Sequence, residues 1–481
     1  MKKTIAAAMA LLMALLMALT GFALAETEEQ EATFAEWNAD APALNALIDY
    51  VEDVTDPDSP NYIPEYDRIA TFDMDGTLMG ELYPTYLEYY MLAWRILEDP
   101  DCQPDAEMLE VGRLLRDCAL DNSFPEDMAM QHAVQAARAY AGMTLREFED
   151  FVTRILVREV DGFEGMTYGE CFYLPMVEVV EYLQDNGFKC YVCSGSDRFI
   201  CRTFIEGMLD IPYEQIIGMD VELESTEQGD EAGLDHVFSI GEDVVRTDRL
   251  LIKNLKTNKV LQIAQEIGRQ PVLSFGNSSG DVSMHNYVIG NNVYKSMAFM
   301  LIADDDVRDY GNPEKAAGLR EKWEGNGYQV ISMANDWKTI YGEDVVKTGE
   351  FHWLEELAED RVPVEAEADE AEESGEVQYV MYLGTNDMDT NKPVFTQAEA
   401  MEKAKEILIA HFGGYTIQEA HGGWIDGDTE YQEYTLVIYL SDTTEEAVHA
   451  AADELVEVFH QSSVMIQANP TTTEFYSGSA Q

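Results

Sequence analysis

Residues 72–78 have the sequence Phe-Asp-Met-Asp-Gly-Thr-Leu and begin at the last residue of a short apolar strand, residues 68–72. In α/β folds, ligand chemistry lies where the parallel strands end. Two carboxylates one residue apart can divide two tasks. Asp73 can attack a phosphorus atom, and Asp75 can protonate the leaving group and then activate water. Taken alone, this stretch is equally compatible with a β-turn that uses Asp and Gly, here Gly76, as turn formers.

Two later segments carry groups that suit a phosphate. Ser194 follows an apolar strand at residues 188–193 and precedes a helix, where a hydroxyl and free backbone N–H groups would hold a phosphate oxygen. A plain helix N-cap is the alternative interpretation of Ser194. Lys256 and Lys259 come next, and either could neutralise phosphoryl charge, although a single lysine is by default a solvated surface residue.

A third strand, residues 271–275, ends in a polar loop. Residues 276–281 read Gly-Asn-Ser-Ser-Gly-Asp, and hard oxygen donors of this kind suit Mg²⁺. Without an ion the segment would be an ordinary polar loop. The four stretches occur in one order along the chain, and that joint order is a stronger signal than any one of them.

The surrounding sequence has an α/β pattern that a helical insertion interrupts. Apolar residues recur at helical spacing over residues 83–158, with a capping box at Thr144 and Glu147. Strands then alternate with helices, which predicts a parallel sheet. The remaining elements expected here are a helix opened by Pro175, a flap of short strands at 217–245, a helix at 256–268, and strands at 298–303 and 328–332.

In their order and spacing, these stretches resemble the haloacid dehalogenase superfamily of aspartyl-phosphate-forming hydrolases. The long helical insertion is similar to that of the phosphoserine phosphatase-like branch, which includes secreted phosphatases related to phosphorylcholine phosphatase. The resemblance covers residues 62–345. It implies an α/β fold with a three-layer Rossmannoid core and a helical cap at about residues 80–187.

The resemblance also implies roles for single residues. Asp73 would be the nucleophile and Asp75 the general acid/base, and the second carboxylate favours phosphate chemistry over dehalogenation. The phosphoryl group would be oriented by Thr77, Ser194 and the Gly195 backbone. The cofactor Mg²⁺ would be held by Asp73, the Asp75 carbonyl, Asn277 and Asp281.

Two features of the match leave a choice. Lys256 fits the family lysine best by its distance from Asn277, and Lys259 is the alternative. The phosphatase branch usually begins its last motif Gly-Asp, whereas residue 277 is Asn here, so Asp281 is expected to carry more of the metal binding.

The leading interpretation is an exported Mg²⁺-dependent phosphomonoester hydrolase. A non-catalytic binding protein on a degenerate phosphatase fold is the rival, and a phosphotransferase would differ only in the acceptor.

The charge of the chain argues against two classes of partner. Among its 481 residues, 30 Lys and Arg stand against 92 Asp and Glu, which gives a formal charge of −62. Nucleic acids and anionic membranes bind proteins through cations that neutralise their phosphates, so neither is an expected partner. The expected ligand is a small phosphorylated molecule.

The cap offers two hints about that ligand. An aromatic cage for a quaternary amine could be formed by Tyr83, Tyr86, Tyr90 and Trp94. A helix core is the preferred explanation of their spacing. Glu81, just after the first motif, could bind a substrate amine or be a surface residue.

The N-terminus has the composition of a bacterial signal peptide at residues 1–25. Lys2 and Lys3 precede an apolar run at 5–19, and a small-x-small cleavage site ends at Ala25. An uncleaved membrane anchor is the alternative. We therefore expect a protein that is secreted, or periplasmic in the cell envelope, with no stable membrane insertion after cleavage.

The remaining chain divides into three parts outside the core. Residues 26–61 are expected to form an N-terminal lead with one helix at about 41–51, and residues 346–376 an acidic linker. Residues 377–481 alternate as β-α-β-β-α-β, which is typical of a ferredoxin-like α+β domain, and the partner of this domain is unknown.

Cys190 and Cys193 have C-x-x-C spacing within a strand, and we interpret them as small buried hydrophobes on opposite faces.

Overall fold

The computed structural model describes residues 34–229, 231–357, 361–363, 377–412, 414–426, 429–441 and 443–471. The chain forms two compact units that divide between Glu365 and Ala366. The signal peptide predicted at 1–25, the start of the lead at 26–33 and the acidic run at 364–376 lie outside the described residues. No described helix has the length and hydropathy that crossing a bilayer requires.

The first unit is built on a seven-stranded sheet. In chain order, the strands of the whole unit are β1 (Ile69–Phe72), β2 (Phe163–Glu164), β3 (Lys189–Asp197), β4 (Ile216–Ser225), β5 (Val244–Ile252), β6 (Leu273–Gly276), β7 (Met297–Ile302), β8 (Gln329–Ser332) and β9 (Val346–Lys347). The order in the large sheet is β5-β4-β3-β1-β6-β7-β8, while β2 pairs with β9. Neighbours in the large sheet are parallel except for β4 and β5, which are antiparallel.

Alternate residues of the central strands pack on opposite faces of this sheet. In β7, Phe299 and Leu301 belong to the main hydrophobic core. Ala298, Met300 and Ile302 belong to a separate cluster with residues of helix Pro313–Gly325. Since side chains alternate along a strand, both faces are covered. The predicted three-layer α/β core is confirmed.

The helices of the first unit follow the expected alternation. In chain order they are Pro42–Thr55, Leu87–Leu97, Ala106–Asp117, Met128–Ala139, Leu145–Leu156, Leu174–Asp185, Arg198–Ile205, Thr257–Gln262, Val282–Ile289, Pro313–Gly325, Met333–Asp336 and Trp353–Glu356. The second to fifth of these lie between β1 and β3 and form the cap. The capping box is present, since the Thr144 hydroxyl accepts from the Glu147 N–H at 3.2 Å and the Glu147 carboxylate accepts from the Thr144 N–H at 2.9 Å.

Two segments that we expected outside the core are part of it. Trp37, in the predicted lead, is buried and donates its indole N–H to the carbonyl of Pro175 at 2.8 Å. Trp353, in the predicted linker, is buried and donates to the carbonyl of Arg116 at 2.8 Å. The linker boundary at 346 is therefore corrected, because β9 pairs with β2, and Trp353 and Leu357 belong to the main hydrophobic core.

The expected flap at 217–245 is corrected as well. Its first part is β4, which extends the large sheet parallel to β3, and β5 returns antiparallel beside it. Ile216, Ile217 and Met219 are buried, so this apolar run fits a core strand better than a surface flap.

All six cysteines lie within the described residues and are free thiols. Cys190 packs in the main core, and Cys193 packs in a cluster on the other face of β3. The two therefore point away from each other, which agrees with small buried hydrophobes rather than a redox or zinc pair.

The second unit is an antiparallel sheet with two helices. Its strands are β10 (Val377–Gly384), β11 (Thr416–Asp426), β12 (Thr429–Leu440) and β13 (Met465–Pro470), and its helices are Gln397–His411 and Glu445–Phe459. The sheet order is β11-β12-β10-β13 with antiparallel neighbours throughout. This β-α-β-β-α-β arrangement is the predicted ferredoxin-like domain.

Candidate active site

Asp73 lies directly after β1, the central strand of the large sheet. Its backbone N–H donates to the carbonyl of Phe275 in the neighbouring β6 at 2.9 Å. Only 7% of the residue is exposed. The expected nucleophile is thus a buried carboxylate at the edge where the parallel strands end.

Lys259, not Lys256, is the lysine of this site. The Lys259 ammonium donates to Oδ1 of Asp73 at 2.5 Å and to Oδ1 of Asp281 at 2.6 Å, and it is fully buried. Lys256 is exposed and adopts a left-handed backbone with φ of 55° directly before helix Thr257–Gln262. The preference for Lys256 is corrected, because one turn of helix carries Lys259 onto the buried face.

The charges of Asp73, Asp281 and Lys259 do not balance. Burial, and then the charge of Asp281, hold the pKa of Asp73 well above its usual range. Burial also opposes ionisation of Asp281, but Lys259 and the nearby N–H groups outweigh it and lower the pKa of Asp281. Two carboxylates share one ammonium charge, so the pair keeps an excess of negative charge when both are ionised.

Asp75 lies in a tight turn that points it toward β3. Its Oδ2 accepts a hydrogen bond from the Ser196 hydroxyl at 2.8 Å. Burial raises the pKa of Asp75 above its ordinary value, which suits a group that must give a proton. Gly76 has a φ of 76°, and a Cβ at this position would lie 1.9 Å from Nδ2 of Asn277. The turn and the polar loop after β6 therefore touch at a point where only glycine fits.

Thr77 lies in this turn, and Ser194 and Gly195 belong to β3. Thr77 is fully buried, and its hydroxyl has no hydrogen-bond partner among the described residues. Ser194 is also buried, lies within β3 rather than after it, and accepts from the Ser196 N–H at 3.0 Å. Gly195 is half-buried. An unpaired buried hydroxyl of this kind is costly.

Asn277 and Glu81 are paired with each other. Nδ2 of Asn277 donates to Oε1 of Glu81 at 2.7 Å. Oδ2 of Asp281 accepts from the N–H groups of Asn277 at 3.2 Å and Ser278 at 3.0 Å. The amide nitrogen thus faces Glu81, which leaves the carbonyl oxygen of Asn277 as its only possible metal donor.

A cavity of about 550 Å³ opens beside this site and is lined by Gly76, Glu81 and Asn277 among others. Tyr83 and Tyr86 also line it. The other two members of the proposed aromatic cage do not: Tyr90 stacks on Tyr168 at 4.9 Å, and Trp94 packs under Arg158 at 4.7 Å. These four residues do not form a cage, and Tyr90 and Trp94 pack within the cap.

A buried charge network beside Asp75 was not predicted from the sequence. Glu88, on the first turn of cap helix Leu87–Leu97, accepts from the Asp197 N–H at 2.9 Å. Lys253 lies 3.5 Å and His132 3.8 Å from its other oxygen, Oε2. Glu88 is one residue away from an apolar helical stripe, so spacing alone suggests an outward-facing residue.

The donor set fits Mg²⁺. Asp73, Asp281, the Asp75 carbonyl and the Asn277 carbonyl all offer hard oxygens, which Mg²⁺ prefers. The excess negative charge of Asp73 and Asp281 beside one lysine also favours a cation.

No curated protein matches the chain. A conserved protein of unknown function from Anaerococcus prevotii DSM 20548 is 14% identical with a TM-score of 0.37, covering 62% of this chain and 92% of its own. A phosphoserine phosphohydrolase-like protein from Francisella tularensis subsp. tularensis SCHU S4 is 14% identical with a TM-score of 0.29, covering 55% and 94%.

Cytosolic 5'-nucleotidase IIIB, solved with cytidine, is 12% identical with a TM-score of 0.34, covering 60% of this chain and 84% of its own. These likenesses are too distant to assign a substrate. The family model of haloacid dehalogenase-like hydrolases matches residues 70–285, which include Asp73, Lys259 and Asp281. Residues 70–285 of this chain are therefore a domain of the haloacid dehalogenase-like hydrolase family.

Proposed function

We propose that the first unit is a Mg²⁺-dependent hydrolase of small phosphomonoesters that works through an aspartyl phosphate on Asp73. The observation that carries this proposal is the contact of Lys259 with both Asp73 and Asp281 at the end of the central strand. The cavity of about 550 Å³ has room for a small metabolite.

The residues divide the chemistry into two displacements. Because Lys259 engages Oδ1 of Asp73, we assign the attack to Oδ2, which forms a bond to phosphorus as the ester P–O bond breaks. The leaving oxygen takes its proton from Asp75. In the second step Asp75 takes a proton from water, whose oxygen attacks phosphorus and releases Asp73 and inorganic phosphate.

Charge on the phosphoryl oxygens must be balanced during both steps. Lys259 supplies one fixed positive charge. Mg²⁺, when bound by Asp73, Asp281, the Asp75 carbonyl and the Asn277 carbonyl, would supply further charge stabilisation. Thr77 and Ser194 would orient the phosphoryl group, with backbone N–H groups of β3 near them.

We also propose that the enzyme acts outside the cytoplasm. The support is the composition of residues 1–25, with its basic start, apolar run and small-x-small site.

Phosphate release from a panel of small phosphomonoesters tests the function. Purified protein should release phosphate with MgCl₂ and lose this activity in EDTA. Asp73→Asn should abolish turnover, because an amide cannot attack phosphorus. Asp58→Asn, the same chemical change on the exposed surface, is the matched control and should retain full activity. A folded Asp73→Asn protein with wild-type activity would exclude the aspartyl phosphate.

A further inference from the structure

Four ionic residues are buried together where the cap meets the end of β3. Glu88 belongs to the cap, whereas Asp197, Arg246 and Lys253 belong to the large sheet or the segment just after it. Each of the four is less than 10% exposed. Buried charges of this kind are rare unless they are paired, so their arrangement requires an explanation.

Glu88 makes two kinds of contact. Its Oε1 accepts from the backbone N–H of Asp197 at 2.9 Å. Its Oε2 lies 3.5 Å from the Lys253 ammonium. Burial opposes its charge, but the charge of Lys253 and the hydrogen bond from the Asp197 N–H outweigh it and lower the pKa of Glu88. Burial holds the pKa of His132 near 4, so His132 is neutral at pH 7 and Lys253 is the balancing charge.

The N–H that Glu88 binds belongs to the peptide bond between Ser196 and Asp197. Fixing that peptide plane also fixes the Cα of Ser196, whose hydroxyl donates to Oδ2 of Asp75 at 2.8 Å. The side chain of Asp197 is held separately, by Arg246 at 2.6 Å. Glu88 is therefore the link that runs from the cap, through one peptide, to the acid/base carboxylate.

We propose that Glu88, with Lys253 as its counter-ion, is a positioning residue that holds Ser196 against Asp75 and so aims the proton donor at the leaving group. This inference rests on the proposed function. Glu88 touches neither the phosphoryl group nor the attacking carboxylate. Its effect is on proton transfer to the departing oxygen, not on the attack by Asp73.

The leaving group provides a readout that a merely structural role would not move. An alkoxide needs a proton as it departs, whereas p-nitrophenolate is stable without one. The ratio of kcat/KM for an alkyl phosphate, such as glycerol 2-phosphate, to kcat/KM for p-nitrophenyl phosphate therefore reports how well Asp75 is placed.

Two double variants differ only in the acceptor at position 88. Glu88→Leu/Lys253→Met removes both charges and the acceptor, and replacing a buried ion pair with apolar residues of similar volume is often tolerated. Glu88→Gln/Lys253→Met also removes both charges but keeps an oxygen for the Asp197 N–H. We expect the Leu variant to lower the alkyl-to-aryl ratio roughly tenfold, a fraction of the full contribution of a general acid, and the Gln variant to stay within about twofold of wild type.

Each outcome decides the question. If the Leu variant loses activity on both esters in equal proportion, or if both variants behave alike, Glu88 is a structural residue and the proposal is overturned. If the Leu variant does not fold, Glu88→Asp, which withdraws the carboxylate by one methylene, is used for the same ratio. If the wild-type protein hydrolyses neither ester in the presence of Mg²⁺, it is the proposed function that fails, and this inference falls with it.

Discussion

Replacing Lys259 with methionine removes the ammonium group that bridges Asp73 and Asp281. The two N–O distances are 2.5 and 2.6 Å, and all three side chains are at most 10% exposed. Removing one partner of a buried ion pair typically costs about 3–5 kcal/mol. Here it also leaves two carboxylates facing each other, so we expect a loss of unfolding free energy in that range at pH 8 without Mg²⁺.

The loss should depend on pH in a definite direction. Without Lys259, the pKa values of Asp73 and Asp281 both rise, because each carboxylate then lies near an uncompensated negative charge. At pH 5 one of them can take up a proton, which relieves the repulsion. The destabilisation by Lys259→Met should therefore be smaller at pH 5 than at pH 8.

Activity should fall with stability. Loss of one preorganised charge at a reacting centre costs about 10²–10³-fold in kcat, and a protonated Asp73 cannot attack. Lys256→Met is the matched control, because Lys256 is exposed. Its positive φ strains lysine and methionine alike, so the substitution does not change the backbone strain. It should change stability by less than about 0.5 kcal/mol.

Urea unfolding in EDTA at the two pH values measures the stability, and phosphate release in MgCl₂ measures the activity. Wild-type kcat in folded Lys259→Met protein would refute this reasoning. So would equal losses in the Lys259 and Lys256 variants.

Four further outcomes are expected. Asn277→Asp combined with Glu81→Gln, which keeps a hydrogen bond between the two side chains, should lower the Mg²⁺ concentration for half-maximal phosphate release; an unchanged requirement would remove position 277 from the metal site. Gly76→Ala should cost at least about 1–2 kcal/mol for the positive φ and abolish turnover because of the clash with Asn277, as denaturant titration and phosphate release will show. A chain ending at Val364 should keep phosphate release, and a folded but inactive product would place the second unit in the site. Burial raises the pKa of Glu178 to about 7, so ionisation of this carboxyl lowers the stability of the fold as pH rises from about 4.5 through 7. Glu178→Gln should therefore raise Tm more at pH 8 than at pH 5, and an equal Tm difference at both pH values would contradict this.

The order of motifs was enough to predict the core and its cap. Asp73 and the loop that ends at Asp281 follow apolar strands, and Ser194 lies in the last part of another. Parallel strands bring such ends together whatever the distance along the chain. The same logic worked for the second unit, where the alternation of strands and helices specifies one sheet order.

Features that depend on a side chain's direction could not be predicted in this way. Lys256 and Lys259 lie one helical turn apart, and only the start of the helix at Thr257 decides which of them faces inward. Glu88 shows the same limitation, because its burial comes from Asp197 and Lys253, which lie more than a hundred residues away. Trp37 and Trp353 were missed because their partners are backbone carbonyls of distant helices.

The free thiols of the first unit have a practical consequence. Cys102 is buried in the cap, and Cys193 is buried beneath the large sheet near Lys259. A thiol reagent can reach either cysteine only after the surrounding structure opens locally. The labelling rate of Cys102 therefore reports opening of the cap, and the labelling rate of Cys193 reports opening around the large sheet. If the cap opens while the sheet stays closed, Cys102 will react before Cys193.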